Sequence, residues 1–152
     1  MARSPCIGIC STTYGDLVCR GCKRFAHEVV GWNGYAEDQQ STVWQRLREL
    51  QAGSTLQIID IVDHAALVRA LQTDGANASP VALVEPGLMI YEVLRRWARS
   101  GRPLARHWPQ LGLRLRREDL PLRADALLRC IDQEFYLRSL AVYERSYRRP
   151  PR

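Results

Sequence analysis

Residues 5–32 read PCIGICSTTYGDLVCRGCKRFAHEVVGW and hold four of the chain's five cysteines. Cys6, Cys10, Cys19 and Cys22 form the pattern C-x3-C-x8-C-x2-C, two close pairs joined by a short loop, which is the layout of a four-thiolate metal site. Too few apolar side chains lie between Pro5 and Cys22 to fold this stretch by burial. Metal coordination is expected to pin it instead, since structural zinc contributes on the order of 10 kcal/mol in small peptides at neutral pH. Gly8 and Gly21 stand where tight turns aim backbone amides at sulfur, and Gly15-Asp16 suits a turn in the connecting loop.

The second pair is expected to open a helix whose amides and positive end favour thiolate over thiol. Cys22, Phe25, Ala26, Val29 and Trp32 share one stripe at helical spacing, and Gly31, Asn33 and Gly34 stop it. His27 falls off that stripe, so it is a weak ligand candidate beside a complete set of four thiols. A second helix is expected over Ala36–Gln51, with Glu37 and Asp38 in its first turn and Arg46 and Arg48 near its end. Val43, Trp44, Leu47 and Leu50 form its apolar face, and Trp32 and Trp44 are expected to pack between the two helices.

Three chemistries suit the cysteines. Zinc would be held tetrahedrally; an iron–sulfur cluster would use the same thiolates, although the spacing matches neither common ferredoxin pattern; a catalytic thiol pair at Cys19 and Cys22 would leave Cys6 and Cys10 without a role. The runs SPCIGIC, CRGCKR and HEVVGW, followed by an acidic helix start and VWQRL, resemble the small bacterial domain of unknown function usually named "predicted iron-sulfur protein", the YdhL-like family. The resemblance covers about residues 4 to 51. It implies a cysteine-ligated centre, by name an iron–sulfur cluster, on Cys6, Cys10, Cys19 and Cys22. Spacing alone favours zinc slightly, and the resemblance tips the expectation narrowly to iron–sulfur.

Beyond this module, Gly53-Ser54 suggests a boundary, giving a four-cysteine module over 1–53 and an α+β domain over 54–152. Leu56–Val62 reads as a strand, or else as part of one continuous helix from Ser54, with Asp63 capping a helix from His64 to Gln72. A loop over Thr73–Pro80, a short strand over Val81–Val84 and a helix over Leu88–Arg99 follow, stopped by Ser100–Pro103. Leu111, Leu113 and Leu115 alternate with Gly112, Arg114 and Arg116, the period of a half-exposed strand with a basic outer face. Leu120–Tyr147 is the longest helical candidate, and Cys130 within it reads as a small, partly buried apolar residue. The fold class expected is α+β: a four-cysteine knuckle with two helices, a small mixed α/β region and a long C-terminal helix.

Charge is unevenly placed: the net +6 divides into +1 over Met1–Gly53, −4 over Ser54–Leu94 and +9 over Arg95–Arg152. Lys23 is the only lysine among the 22 basic residues. Arginine's planar fork suits phosphate, so Arg95–Arg152 is a candidate nucleic-acid surface, while codon bias explains the same arginines without function. No apolar run is long enough to span a bilayer and the N-terminus lacks a signal-peptide core, so a cytoplasmic protein without membrane contact is expected, with cysteines kept reduced. His27, His64 and His107 lie in separate segments, Asp60, Asp63 and His64 read as a helix cap rather than a metal site, and no catalytic residue is assigned. A non-enzymatic metal-binding accessory or adaptor with an unidentified protein partner is the first expectation. The alternative is a nucleic-acid or ribosome-associated module with structural zinc.

Overall fold

The structure is a computed structural model and describes residues 3–73 and 84–148. The strand expected over Val81–Val84 and the loop over Thr73–Pro80 fall outside these, apart from Thr73, which ends a helix, and Val84, which lies in a turn. The described chain is mostly helical, with one small antiparallel sheet and a long C-terminal helix. It forms two compact units, Met1–Leu50 with Glu134–Arg152, and Gln51–Gln133.

In the first unit, α1 (Ala26–Gly31) runs into a 3₁₀ turn at Trp32–Gly34, and α2 begins at Glu37. The acidic side chains expected at the start of α2, Glu37 and Asp38, occupy its first turn, and Gln39 accepts the Ala36 amide at 2.8 Å. Trp32, Val43, Leu47 and Phe135 form one buried cluster, with Tyr35, Trp44 and Leu50 packed against it. A neighbouring cluster joins Val18, Phe25 and Tyr136 to Leu140, Val142 and Tyr143. The two tryptophans therefore belong to packing, as their helical spacing suggests, and the C-terminal helix supplies three aromatic side chains, Phe135, Tyr136 and Tyr143, to these clusters.

That helix, α6, spans Ala124–Tyr143 and continues in a π-helical turn over Glu144–Arg148, so the helical run starts four residues later than the expected Leu120 and reaches the expected end. Likewise α2 departs from its expected end at Gln51 and continues to Ile58. A glycine inside a helix costs about 1 kcal/mol relative to alanine, and packing overrides it here. Ala52, Ser54 and Thr55 are all buried, the Thr55 hydroxyl donates to the Gln51 carbonyl at 2.9 Å, and the backbone at Gly87 approaches so closely that a Cβ there would lie 2.4 Å from the Ala52 oxygen.

Because α2 takes Leu56–Ile58, the strand expected over Leu56–Val62 shrinks to β1, Ile59–Ile61. It pairs antiparallel with β2, Leu113–Leu115, in the register Ile59 to Leu115 and Ile61 to Leu113. Ahead of β2, α3 (His64–Thr73), α4 (Pro86–Ser100) and α5 (Leu104–His107) surround a core of Ile59, Leu67, Met89, Ile90, Leu94, Leu127 and Ile131. Asp63 caps α3, its carboxylate accepting the Ala66 amide at 3.1 Å. Cys130 is half-buried.

Among the described residues, nine arginines of the basic last third pair with six carboxylates. Arg95 and Arg96 pair with Glu92, Arg114 and Arg116 with Asp60, Arg117 with Asp119, Arg123 and Arg129 with Asp125, Arg138 with Glu134, and Arg148 with Glu144. Asp60 thus links both arginines on the outer face of the sheet.

Gly112 joins α5 and its following turn to β2 with φ +67, and its carbonyl accepts the amides of Val62 and Asp63. A Cβ there would lie 2.2 Å from the Asp63 oxygen, whereas Gly101, with nearly the same φ of +68, has nothing within 4 Å. Gly101→Ala should therefore cost about 1 kcal/mol from backbone strain alone, and Gly112→Ala about 2–4 kcal/mol. Urea unfolding of the two variants checks this, and equal midpoints would contradict it.

Candidate metal centre

The second cysteine pair sits in a tight turn. Val18 and Phe25 form an isolated antiparallel bridge, the Cys19 amide donates to the Arg24 carbonyl at 2.9 Å, and the Lys23 amide donates to the Cys19 carbonyl at 2.8 Å. Lys23 has φ +64, a left-handed conformation that a helix cannot contain. This corrects the expectation that Cys22 opens a helix: α1 starts four residues later, and the amides beside the sulfurs come from the turn.

Phe25 holds the N-cap position of α1, and the Glu28 carboxylate reaches back to accept its amide at 2.8 Å. Arg46 from α2 grips the same carboxylate with both terminal nitrogens, one at 2.7 Å, while its guanidinium lies 4.0 Å over the Phe25 ring. Glu28 is 5% exposed and Arg46 is half-buried, so the pair is part-buried.

The first pair lies over the turn. A Cβ on Gly21 would come within 2.5 Å of the Ile9 oxygen and 3.1 Å of the Ile7 side chain. Glycine at position 21 therefore permits the Cys6–Cys10 loop to lie on the Cys19–Cys22 turn. At Gly8, φ +90 lets its amide donate to the Cys6 sulfur at 3.4 Å. The Cys19 thiol donates to the Ile9 carbonyl at 3.3 Å.

The electrostatics differ from one sulfur to the next. Burial alone would raise the Cys19 pKa, but the amides of Cys22, Ser11 and Gly21, with the Cys22 thiol, bring it down to about 7. Burial raises Cys22, and the Arg24 guanidinium, whose Nε donates to the Cys22 sulfur at 3.3 Å, opposes that rise. Cys10 is lowered by the hydroxyls of Thr12, 3.2 Å away, and Thr13. The Cys19 charge acts on both Cys10 and Cys22, so the three sulfurs share one electrostatic neighbourhood.

Lys23 and Arg24 had no assigned role in the sequence pattern. They are 1% and 3% exposed. The Lys23 ammonium donates to the Gly21 carbonyl at 3.0 Å and lies 5.3 Å over Phe135, and the Arg24 guanidinium lies 4.9 Å over Trp32. Arg24 makes no ion pair with a carboxylate among the described residues, so the sulfur of Cys22 is its nearest acidic group. The only available signal was their place directly after Cys22.

The thiolates, the amides aimed at Cys19 and the buried cation beside Cys22 suit a soft or borderline metal that takes sulfur ligands. The ligand set is not closed: Cys6 is exposed, and among the described residues no three Cys, His, Asp or Glu side chains come close enough together to hold an ion. His27 is exposed and rests edge-on against Tyr147, 5.1 Å away.

Two outcomes follow for the reduced, metal-free protein. Thiolate absorbance in the ultraviolet should rise in a step near pH 7 that Cys19→Ser removes. Cys19, depressed from 9.0, stabilises the fold fully above the free-thiol value and loses that contribution as pH falls through about 7; Cys22, raised, acts in the opposite direction, losing its contribution above 9.0. Secondly, Glu28→Gln removes the charge that Arg46 holds at this part-buried site and should lower stability by about 1–3 kcal/mol in urea unfolding.

Comparison with curated proteins yields no match, and comparison with solved structures yields none. Among family models, residues 4–51, which carry the four cysteines, α1 and most of α2, match the family described as a protein of unknown function (DUF1289).

Proposed function

We propose that Cys6, Cys10, Cys19 and Cys22 hold a metal centre, and that the protein is a non-enzymatic metal-binding accessory or adaptor in the reducing cytosol. The observation that carries this reading is the fit of the Ile7–Ile9 loop against Gly21, which stacks the two halves of the cysteine pattern on each other. Three thiolates would repel one another without a cation among them, and the buried guanidinium of Arg24 offsets only part of that charge. Turning the exposed Cys6 side chain inward would complete a four-sulfur set.

Iron–sulfur is the first reading of the metal, from the resemblance of residues 4–51, and zinc the second. An iron–sulfur cluster supplies single-electron transfer, and zinc supplies a structural staple. In either case this chain's residues act alike. Gly8, Ser11, Gly21 and Cys22 present amides to sulfur, and Arg24 places buried positive charge against the Cys22 sulfur. The alternative reading, nucleic-acid binding through Arg95–Arg152, rests on the net +9 of that segment, which its mostly exposed ion pairs leave largely in place.

Anaerobic purification followed by an absorption spectrum and elemental analysis tests this. Iron with acid-labile sulfide and visible absorption is expected, falling to background in Cys22→Ser and strongly reduced in Gly21→Ala. One colourless zinc per chain would replace the iron reading with the zinc one. A protein that takes up neither metal and keeps four free thiols would overturn the proposal.

A further inference from the structure

The Cys19–Cys22 turn is held from a part of the chain far from it in sequence. Each cysteine of the pair is followed by a cation, Arg20 after Cys19 and Lys23 after Cys22. Both cations lie over rings of α6: the Arg20 guanidinium is 4.6 Å from the centre of Tyr136, and the Lys23 ammonium 5.3 Å from the centre of Phe135. These distances fall within the ~6 Å over which a ring face attracts a cation, an attraction that strengthens where water is excluded. Phe135 and Tyr136 are buried and belong to the same compact unit as the cysteines, although they lie outside residues 4–51, the segment that matches the family.

The contacts reach the backbone of the turn. The Lys23 ammonium donates to the Gly21 carbonyl at 3.0 Å, so the ring that holds the ammonium also holds the peptide between the two cysteines. Lys23 is left-handed at φ +64, a conformation that a lysine keeps only where its surroundings over-determine it. On the other side, the Arg20 amide donates to the Ser11 hydroxyl at 2.8 Å and the Arg20 guanidinium pairs with Asp16 at 3.2 Å, which ties the Ser11–Tyr14 turn to the residue lying on Tyr136. Val18 and Phe25, which bridge at the base of the cysteine turn, share a buried cluster with Tyr136. Lysine ordinarily keeps its charged head in water, whereas Lys23 is 1% exposed. An apolar side chain there would fill space against Phe135 without closing on Gly21.

We propose that Phe135 and Tyr136 are positioning residues of the cysteine centre: α6 clamps the Cys19–Cys22 turn through Lys23 and Arg20, and thereby sets how readily these two sulfurs are exposed and give up a bound metal. The effect on metal rests on the centre proposed above; the effect on the sulfurs holds without it.

Alkylation of the reduced, metal-free full chain by iodoacetamide, followed cysteine by cysteine by peptide mass, tests the clamp. Phe135→Leu and Tyr136→Leu keep an apolar side chain and lose the ring face. Each should speed the reaction of Cys19 and Cys22 by about threefold to tenfold and leave the exposed Cys6 unchanged. Tyr136→Phe keeps the ring and should react as the parent does. Lys23→Met should speed the same two cysteines, and Phe135→Leu added to it should change the rates no further, because the ring acts through the ammonium. Leu140→Ala thins the cluster around Tyr136 while leaving both rings, and should keep the parent rates. In protein purified anaerobically with its metal, release to a coloured chelator should accelerate by a similar factor in both leucine variants. A parent chain without metal removes the proposed centre and leaves the alkylation result to decide the clamp; metal release at the parent rate overturns the clamp's effect on metal. The clamp itself is overturned if the leucine variants alkylate as the parent does, if the effects of Lys23→Met and Phe135→Leu multiply, or if Leu140→Ala exposes Cys19 and Cys22 equally.

Discussion

The carboxylate of Glu28 is the constraint on which the N-terminal unit depends. It accepts the Phe25 amide that begins α1 and takes the guanidinium of Arg46 from α2. That guanidinium in turn lies flat on Phe25, the residue that bridges to Val18 and closes the cysteine turn. One part-buried charge pair therefore locks a helix cap, a helix pair and the base of the knuckle in mutual register. Burying such a pair costs several kcal/mol per ion before attraction and hydrogen bonds offset it. Here the return is positional, since the short α1 of six residues is too brief to hold an orientation by its own helical stability.

On that base, the cysteine stretch is organised by charge as much as by sulfur. A turn that places three amides around Cys19 stabilises negative charge there although the side chain is buried, and the Arg24 guanidinium against Cys22 offsets part of the effect of burial at that sulfur. Polar groups of this kind are unfavourable beside a neutral apolar core and favourable beside an anionic one. Lys23 and Arg24 are held at 1% and 3% exposure by aromatic faces from Phe135 and Trp32, so their burial is compensated on the side away from the sulfurs.

Arginine usage divides along the same logic. Through Arg95–Arg148 nine guanidiniums hold neighbouring carboxylates, yet the +9 already counts the segment's own acidic residues, so pairing orders these arginines without removing the excess. Segment charge says how many arginines are in excess; which of them pair depends on which residues meet.

Local chemistry determined what could be read directly from the chain. The acidic start of α2, the Asp63 cap, the alternating Leu113–Leu115 strand and the core role of Trp32 and Trp44 all follow from spacing and short-range hydrogen bonding, and the structure has them. The clustering of four cysteines and its match over residues 4–51 were equally legible. Long-range contacts decided the rest. The helix pattern through Cys22 fails because Val18 and Phe25 pair as an antiparallel bridge, the Cys19 amide donates to the Arg24 carbonyl inside it, and Lys23 turns left-handed. Gly53 does not end α2 because Ala52, Ser54 and Thr55 are buried. Phe135 and Tyr136, more than a hundred residues from Cys22, complete the core beneath the cysteine turn. Periodicity reports which face of an element is apolar; which distant element covers that face, and which carboxylate a given arginine finds, is set only when the chain closes on itself.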